Sequence, residues 1–164
     1  MAQCEFCGKP PIGETKHCVR CSMLQVVLKQ ACALGLPWRK VCAPLMAAQK
    51  VTVSDVEAQM RLHVDRCTLE ISANGKSVGS YKKRGILYCQ LDEFDRAWDD
   101  AEAAMAIDER EPYIYLIRSV VYSSRKQYPE AVEECNKAIA LDPSLEYAKI
   151  LKQGASEAQQ SSLS

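Results

Sequence analysis

The stretches SYKKRGILYCQLDEFDRAWDDAEAAMAIDERE (residues 80–111) and IYLIRSVVYSSRKQYPEAVEECNKAIALDPSL (residues 114–145) decide the fold of this 164-residue chain. When they are aligned at an offset of 34 residues, aromatic, small and acidic residues coincide. Self-similarity at such a period indicates a structural repeat, in which each unit buries its apolar face against the next. The matched pairs are Tyr81 and Tyr115, Gly85 and Ser119, Tyr88 and Tyr122, Phe94 and Tyr128, Ala97 and Ala131, Ala104 and Ala138, Ile107 and Leu141, and Asp108 and Asp142.

This period and pattern resemble the tetratricopeptide repeat, over residues 78–143 with units 78–111 and 112–143. The resemblance implies a mainly α fold built from antiparallel helix pairs. Small residues at Gly85 and Ser119 would allow two helices to approach closely, and aromatic residues would wedge between them. The chain departs from the family at Ala101 and Cys135, where a large apolar residue is usual, so we expect thinner packing there.

Both ends of the repeat pair need a cover, because about three repeats are required for a stable array. Residues 144–164 are predicted to form a C-terminal capping helix followed by a disordered polar tail. The apolar face of this helix is predicted to carry Leu145, Ala148, Ile150 and Leu151.

Residues 37–77 are predicted to form a helical connector that caps the N-terminal side of the repeats. Its main helix is expected to begin at Ser54, with Glu57 completing a capping box, and to end at Asn74-Gly75. The apolar side of the helix carries Val56, Met60, Val64, Cys67 and Ile71.

The first 36 residues carry two CxxC pairs, CEFC and HCVRC, with ten residues between them. Their four thiols are Cys4, Cys7, Cys18 and Cys21. Four thiolates bind zinc tetrahedrally and leave no open position for water, so we predict one structural zinc ion. Iron in the same sulfur site is the alternative. The spacing, followed by an apolar helical pattern, resembles zinc-ribbon and treble-clef modules.

Nine cysteines are expected to stay reduced, because the first twenty residues carry charges and cysteines rather than the apolar run of a secretion signal. No stretch reaches the roughly 18 apolar residues that a membrane-spanning helix needs. We therefore predict a cytoplasmic protein without a membrane span.

A partner-binding groove is implied by the resemblance, because the first helix of each repeat pair lines a concave surface. An extended peptide or a helix of another protein suits such a groove. Ile86 and Ile117 stand where chaperone-binding repeats use asparagine, so we do not predict binding of chaperone tails. The predicted groove residues are Lys82, Ile86, Cys89, Gln90, Tyr113, Leu116, Val120, Ser123 and Ser124.

No phosphate-binding glycine loop, nucleophile elbow or convincing carboxylate pair is present in the sequence, so we do not expect an enzyme. The favoured function is a protein–protein interaction adaptor, and a homodimer through an incompletely covered end of the repeats stays open. Residues 1–40 carry six Lys or Arg and two acidic residues, which leaves a nucleic-acid-associated zinc protein as the first alternative. The second is a thiol-based or zinc-based redox sensor that uses the five remaining thiols, Cys32, Cys42, Cys67, Cys89 and Cys135.

Overall fold

The computed structural model describes residues 52–163 of the chain. The predicted zinc module, with its four cysteines, and residues 37–51 of the connector lie outside the described residues. The chain divides into two compact units, residues 1–63 and 64–164, and only residues 52–63 of the first unit are described.

Residues 52–163 contain six α-helices and no strand, as the mainly α prediction requires. The helices are α1 (Val53–Ala73), α2 (Val78–Gln90), α3 (Phe94–Met105), α4 (Pro112–Ser124), α5 (Tyr128–Leu141) and α6 (Glu146–Leu163). None of these six helices is long and apolar enough to cross a membrane.

Helix α1 begins one residue before the predicted cap, so the assignment of Ser54 and Glu57 is wrong. Thr52 and Asp55 form the reciprocal capping box instead: the Asp55 N–H donates to Thr52 Oγ1 (3.1 Å) and the Thr52 N–H donates to Asp55 Oδ2 (3.0 Å). Thr52 and Asp55 thus satisfy the backbone N–H groups at the helix start in the same way as the serine and glutamate of a capping box. The helix ends at Ala73, directly before Asn74-Gly75 as predicted.

The two repeats share their backbone turns as well as their sequence. Residues 91–93 join α2 to α3, and residues 125–127 join α4 to α5. Asp92 and Lys126, which are 34 residues apart, both have positive φ angles, 61° and 60°. In each turn the N–H of the following residue donates to a carbonyl five residues earlier at 2.9 Å, from Glu93 to Tyr88 and from Gln127 to Tyr122. This bonding closes the end of a helix and reverses the chain.

Small residues form the contact between paired helices. Ala101 and Cys135, where thinner packing was expected, are both fully buried. In the first repeat Gly85 leaves space for α3 and for the next repeat, because a Cβ placed on it would lie 3.4 Å from Asp100 Cβ of α3 and 3.0 Å from Ile117 Cδ1 of α4. In the second repeat Ser119 occupies the same position, and its Oγ lies 3.0 Å from Cys135 Sγ.

Helix α6 and the residue before it pack on the second repeat. Leu145 and Ala148 join the buried cluster of Leu116 and Ala138, and Leu151 packs against this cluster. Ile150 does not share this face, because its side chain is 37% exposed. The helix continues to Leu163, so the polar segment that was expected to be disordered is helical up to that residue.

Candidate partner-binding face

Helices α2, α4 and α6 lie side by side and form one layer of the second unit, residues 64–164. Helix α2 contacts α4, and α4 contacts α6. Helix α3 packs against both α2 and α4, and α5 packs against both α4 and α6. Since α6 follows α4 at the same 34-residue offset, residues in one register align across the three helices. The rows are residues 79, 113 and 147, then 82, 116 and 150, then 86, 120 and 154.

Eight of the nine predicted groove residues have side chains that solvent reaches. Tyr113 and Ser124 are exposed. The half-buried members are Lys82, Ile86, Cys89, Gln90, Val120 and Ser123.

Leu116 is the exception, because its side chain is only 3% exposed and belongs to the core cluster with Ala138, Leu145 and Ala148. The correction has a simple cause. Leu116 lies on the side of α4 that α6 covers, and an apolar side chain there stabilises the stacking of helices. It is a packing residue rather than a surface for a partner.

Lys82 is bound to its own neighbours. Its Nζ lies 2.9 Å from Glu111 Oε2 and 5.0 Å from the centroid of the Tyr113 ring. The ammonium group is thus neutralised by a carboxylate and covered on one side by an aromatic face. The remaining members of its row, Leu116 and Ile150, are uncharged.

Apolar groups occupy one part of this layer, beside the polar Gln90, Ser123 and Ser124. Ile86 and Val120 are half-buried, and the side chains of Tyr113 and Ile150 are 36% and 37% exposed. Gly154 completes the row of Ile86 and Val120, and nothing lies within 4 Å of a Cβ built on it. We define the binding face as Lys82, Ile86, Tyr113, Val120, Ile150 and Gly154.

Sequence reasoning missed two members of this face, Ile150 and Gly154. Ile150 was assigned to the packing side of the capping helix, and Gly154 was not considered. The signal that identifies them is the 34-residue offset applied once more, from Leu116 to Ile150 and from Val120 to Gly154.

Two buried ion pairs hold the helix pairs together at equivalent positions. Arg84 contacts Asp100 at 2.7 Å, and Arg118 contacts Glu134 at 3.1 Å. Both residues of the second pair lie 34 residues after those of the first, a match that the sequence comparison overlooked. Hydrogen bonding to Asp100 is the largest cause that raises the pKa of Arg84. Each of these carboxylates pairs with an arginine of the facing helix.

Trp98 connects the two repeats. Its ring packs edge-on against Tyr122 at 5.3 Å between centroids, and the guanidinium of Arg118 lies 4.7 Å from the Trp98 centroid. Arg118 also contacts Glu102 of the first repeat at 2.8 Å. The relative position of the two repeats, and hence of α2 and α4, is therefore fixed by aromatic and charged contacts together.

The thiols of the described residues show no metal site. Among residues 52–163 no group of three or more His, Cys, Asp or Glu side chains is placed to hold a metal ion. Cys67 and Cys135 are buried, and burial raises the pKa of both thiols. Cys89 is half-buried, and Cys32 and Cys42 lie outside the described residues.

Comparison with known proteins identifies the class of fold. No family model matches the chain. The Arabidopsis OM64 TPR domain has a similar structure, with a TM-score of 0.56 and 22% sequence identity, over 82% of this chain and 94% of that domain. The described helices therefore have the fold of a tetratricopeptide-repeat array.

A curated human protein, sperm-associated antigen 1, is 28% identical over 80 residues, which is 49% of this chain. The matched region spans only 9% of the length of that protein. The similarity thus concerns a segment of a much longer protein.

Proposed function

We propose that this chain is a non-enzymatic adaptor that binds a segment of another protein on the face formed by α2, α4 and α6. One observation carries the proposal: a solvent-accessible apolar side chain lies on each of the three adjacent helices, Ile86 on α2, Val120 on α4 and Ile150 on α6. Ile86 and Val120 occupy equivalent repeat positions, and Ile150 lies four residues before the third such position, Gly154. Apolar side chains on adjacent helices suit the alternating or helical anchors of a bound peptide. A fold of this class serves as a scaffold for protein–protein interaction.

The experiment compares proteins retained from native cell extract by the full chain and by two variants. Ile150→Asp places a charge on the binding face, and Ile107→Asp is the matched control because both isoleucines are 37% exposed. We expect the Ile150→Asp variant to lose a defined set of proteins that the wild type and the Ile107→Asp variant retain. Equal retention by all three chains contradicts the proposal.

We also propose that Cys4, Cys7, Cys18 and Cys21 bind one structural zinc ion. The proposal rests on the two CxxC pairs in the sequence, whose spacing suits a tetrahedral thiolate site. Elemental mass spectrometry on native protein tests it, with one zinc per chain expected. Both Cys4→Ser and Cys18→Ser should lose the metal, whereas Cys89→Ser, the control, should keep it. Metal-free wild-type protein, or iron in place of zinc, contradicts it.

A further inference from the structure

The positive charge of the binding face is already neutralised within the chain. Its one charged side chain, Lys82, pairs with Glu111 at 2.9 Å, and the two side chains are 26% and 19% exposed. Separating this pair to serve a ligand would leave Glu111 without its cation in a partly desolvated place, which is unfavourable. A free charge that a partner meets on this layer therefore has to come from another residue.

Glu157 supplies a free charge at the border of the face. It lies on α6 one turn after Gly154, and the repeat offset aligns it with Cys89 and Ser123, two of the predicted groove residues. Its side chain is exposed, and Oε1 accepts a hydrogen bond from Gln153 Nε2 at 2.9 Å. Among the described helices no ion pair involves Glu157, so its negative charge is not neutralised.

Exposed lysines near this layer lie off the binding face or are already paired. Lys83 on α2 is equivalent to the buried Ile117, so it occupies the packing side of the helix position rather than the face. Lys149 on α6 pairs with a glutamate of its own helix at 2.6 Å. Lys126 lies in the turn that leads from α4 to α5. The unpaired charge beside the apolar part of the face is thus the carboxylate of Glu157.

We infer that the partner segment is amphipathic: its apolar side chains contact Ile86, Val120 and Ile150, and one of its lysine or arginine residues pairs with Glu157. This inference rests on the proposed function, because it names the chemistry of the partner of the same face. Charge complementarity of this kind governs specificity and salt dependence more than overall affinity.

The spacing of the two contacts on α6 gives the inference a sequence pattern. Glu157 follows Ile150 by seven residues, which is about 10 Å along the helix axis. An extended peptide covers about the same distance in three residues. In an extended partner, the basic residue should therefore lie about three positions from an apolar anchor.

The test selects peptides from a random library, displayed with both peptide ends blocked by the carrier, on the immobilised full chain. Glu157→Gln removes the charge, and Glu157→Lys reverses it. Asp99→Lys is the matched charge control, because Asp99 is exposed on α3, outside the layer. Ile150→Asn removes an apolar anchor without adding a carboxylate that would itself attract a basic peptide, and Ile107→Asn is its control. Circular dichroism establishes that each variant remains folded.

We expect enriched peptides that combine apolar residues with a lysine or arginine. Their affinity should fall about threefold on Glu157→Gln, as for an exposed ion pair, and about tenfold or more on Glu157→Lys, which adds repulsion. Asp99→Lys and Ile107→Asn should change it less than about twofold. Replacing the basic residue of the peptide by glutamate should restore binding to the Glu157→Lys variant. High salt should weaken binding to the wild type more than binding to the Glu157→Gln variant.

Two other outcomes separate the inference from the function on which it rests. Enriched peptides that lose affinity about tenfold on Ile150→Asn but carry no basic residue, or that bind Glu157→Lys as well as the wild type, would overturn the inference and leave the binding face in place. Peptides that bind the Ile150→Asn variant and the wild type equally, or a selection that enriches none, would overturn both the inference and the proposed function.

Discussion

The guanidinium of Arg84 and the carboxylate of Asp100 are joined by two parallel hydrogen bonds, from Nε to Oδ2 at 2.9 Å and from Nη2 to Oδ1 at 2.7 Å. This bidentate geometry ties α2 to α3, and Arg84 Nη1 also donates to Thr68 Oγ1 of α1 at 2.9 Å. Arg118 and Glu134 form an ion pair at the equivalent positions of α4 and α5, at 3.1 Å, without the two parallel hydrogen bonds. The helices that carry the binding face are thus held to their partners by one recurring ion pair.

Asp100→Ala should destabilise the fold strongly. Asp100 is buried, and its removal leaves the mostly buried guanidinium of Arg84 without its carboxylate, a loss of about 3 kcal/mol in the free energy of unfolding. Asp95→Ala is the control on the same helix: Asp95 also contacts an arginine, Arg125, but is 94% exposed, so less than about 1 kcal/mol is expected. Urea denaturation of both variants measures the difference. Equal losses would refute a special role for the buried pair.

Two helical glycines should respond to alanine with opposite signs. Gly154→Ala should stabilise the chain by about 1 kcal/mol, because alanine favours the helix and the added Cβ meets nothing. Gly85→Ala should destabilise it by about 1 kcal/mol or more, because the Cβ would press on Ile117 Cδ1 at 3.0 Å and Asp100 Cβ at 3.4 Å. Thermal melts of the two variants are the measurement. A rise in melting temperature for both would show that Ile117 of α4 and Asp100 of α3 can shift to admit a methyl group.

The helix order was predictable because the repeat offset constrains both sequence and packing. Small residues at positions 85 and 119 signal close helix approach, and Asn74-Gly75 signals a helix end. Exact termini were less predictable, since Thr52 with Asp55 and Ser54 with Glu57 both fit a capping box. The structure uses the former pair.

The exposure of the predicted groove residues followed from the sequence only in part, because a sequence pattern gives a helix position but not the neighbour that covers it. Leu116 and Ile150 occupy equivalent positions, yet Leu116 is buried beneath α6 and Ile150 is exposed. Ile150 is exposed because, among the described residues, no further helix packs beside α6 in the way that α6 packs beside α4. The pairing of Lys82 with Glu111 was also beyond prediction, since the two are 29 residues apart.

Leu116→Ala should lower stability rather than partner affinity. Removing a fully buried leucine side chain from the cluster with Ala138, Leu145 and Ala148 leaves a cavity and costs about 3 kcal/mol. Leu69→Ala, the control, should change stability by less than about 0.5 kcal/mol, because Leu69 is 71% exposed. Chemical denaturation reports stability, and peptide affinity is measured below the melting temperature of the variant. A large affinity loss in folded Leu116→Ala would return this residue to the binding face.

Glu70 should titrate below its usual range. The Ser80 hydroxyl donates to Glu70 Oε2 at 2.7 Å, and this hydrogen bond is the main cause that lowers the pKa of the Glu70 carboxyl from 4.5. A lowered folded-state pKa stabilises the fold above pH 4.5, and this contribution is lost as the pH falls through the folded-state value. Ser80→Ala should move the pKa of Glu70 upward, as followed by side-chain NMR titration. An unchanged pKa would assign the shift to the nearby Lys83 and Arg66 instead.

The described thiols should differ in reactivity according to burial. Burial is the largest cause that raises the pKa of Cys135, and Ser119 Oγ lies 3.0 Å from its sulfur. A raised pKa favours the neutral thiol, which is the poor nucleophile. The protonated Cys135 thiol therefore stabilises the fold below pH 9. This contribution declines as the pH rises through the pKa that the thiol has in the folded chain.

Alkylation with iodoacetamide at neutral pH, followed by peptide mass spectrometry, measures this difference. Cys67 and Cys135, both buried with raised pKa values, should react only as the chain unfolds, whereas half-buried Cys89 should react in the folded state. Denaturant should abolish the protection of both buried thiols and serves as the control. Rapid modification of Cys135 in the folded chain would revive the redox-sensor alternative for the repeat region. Protection of Cys67 and Cys135 would confine such a role to Cys89 and the thiols before residue 52.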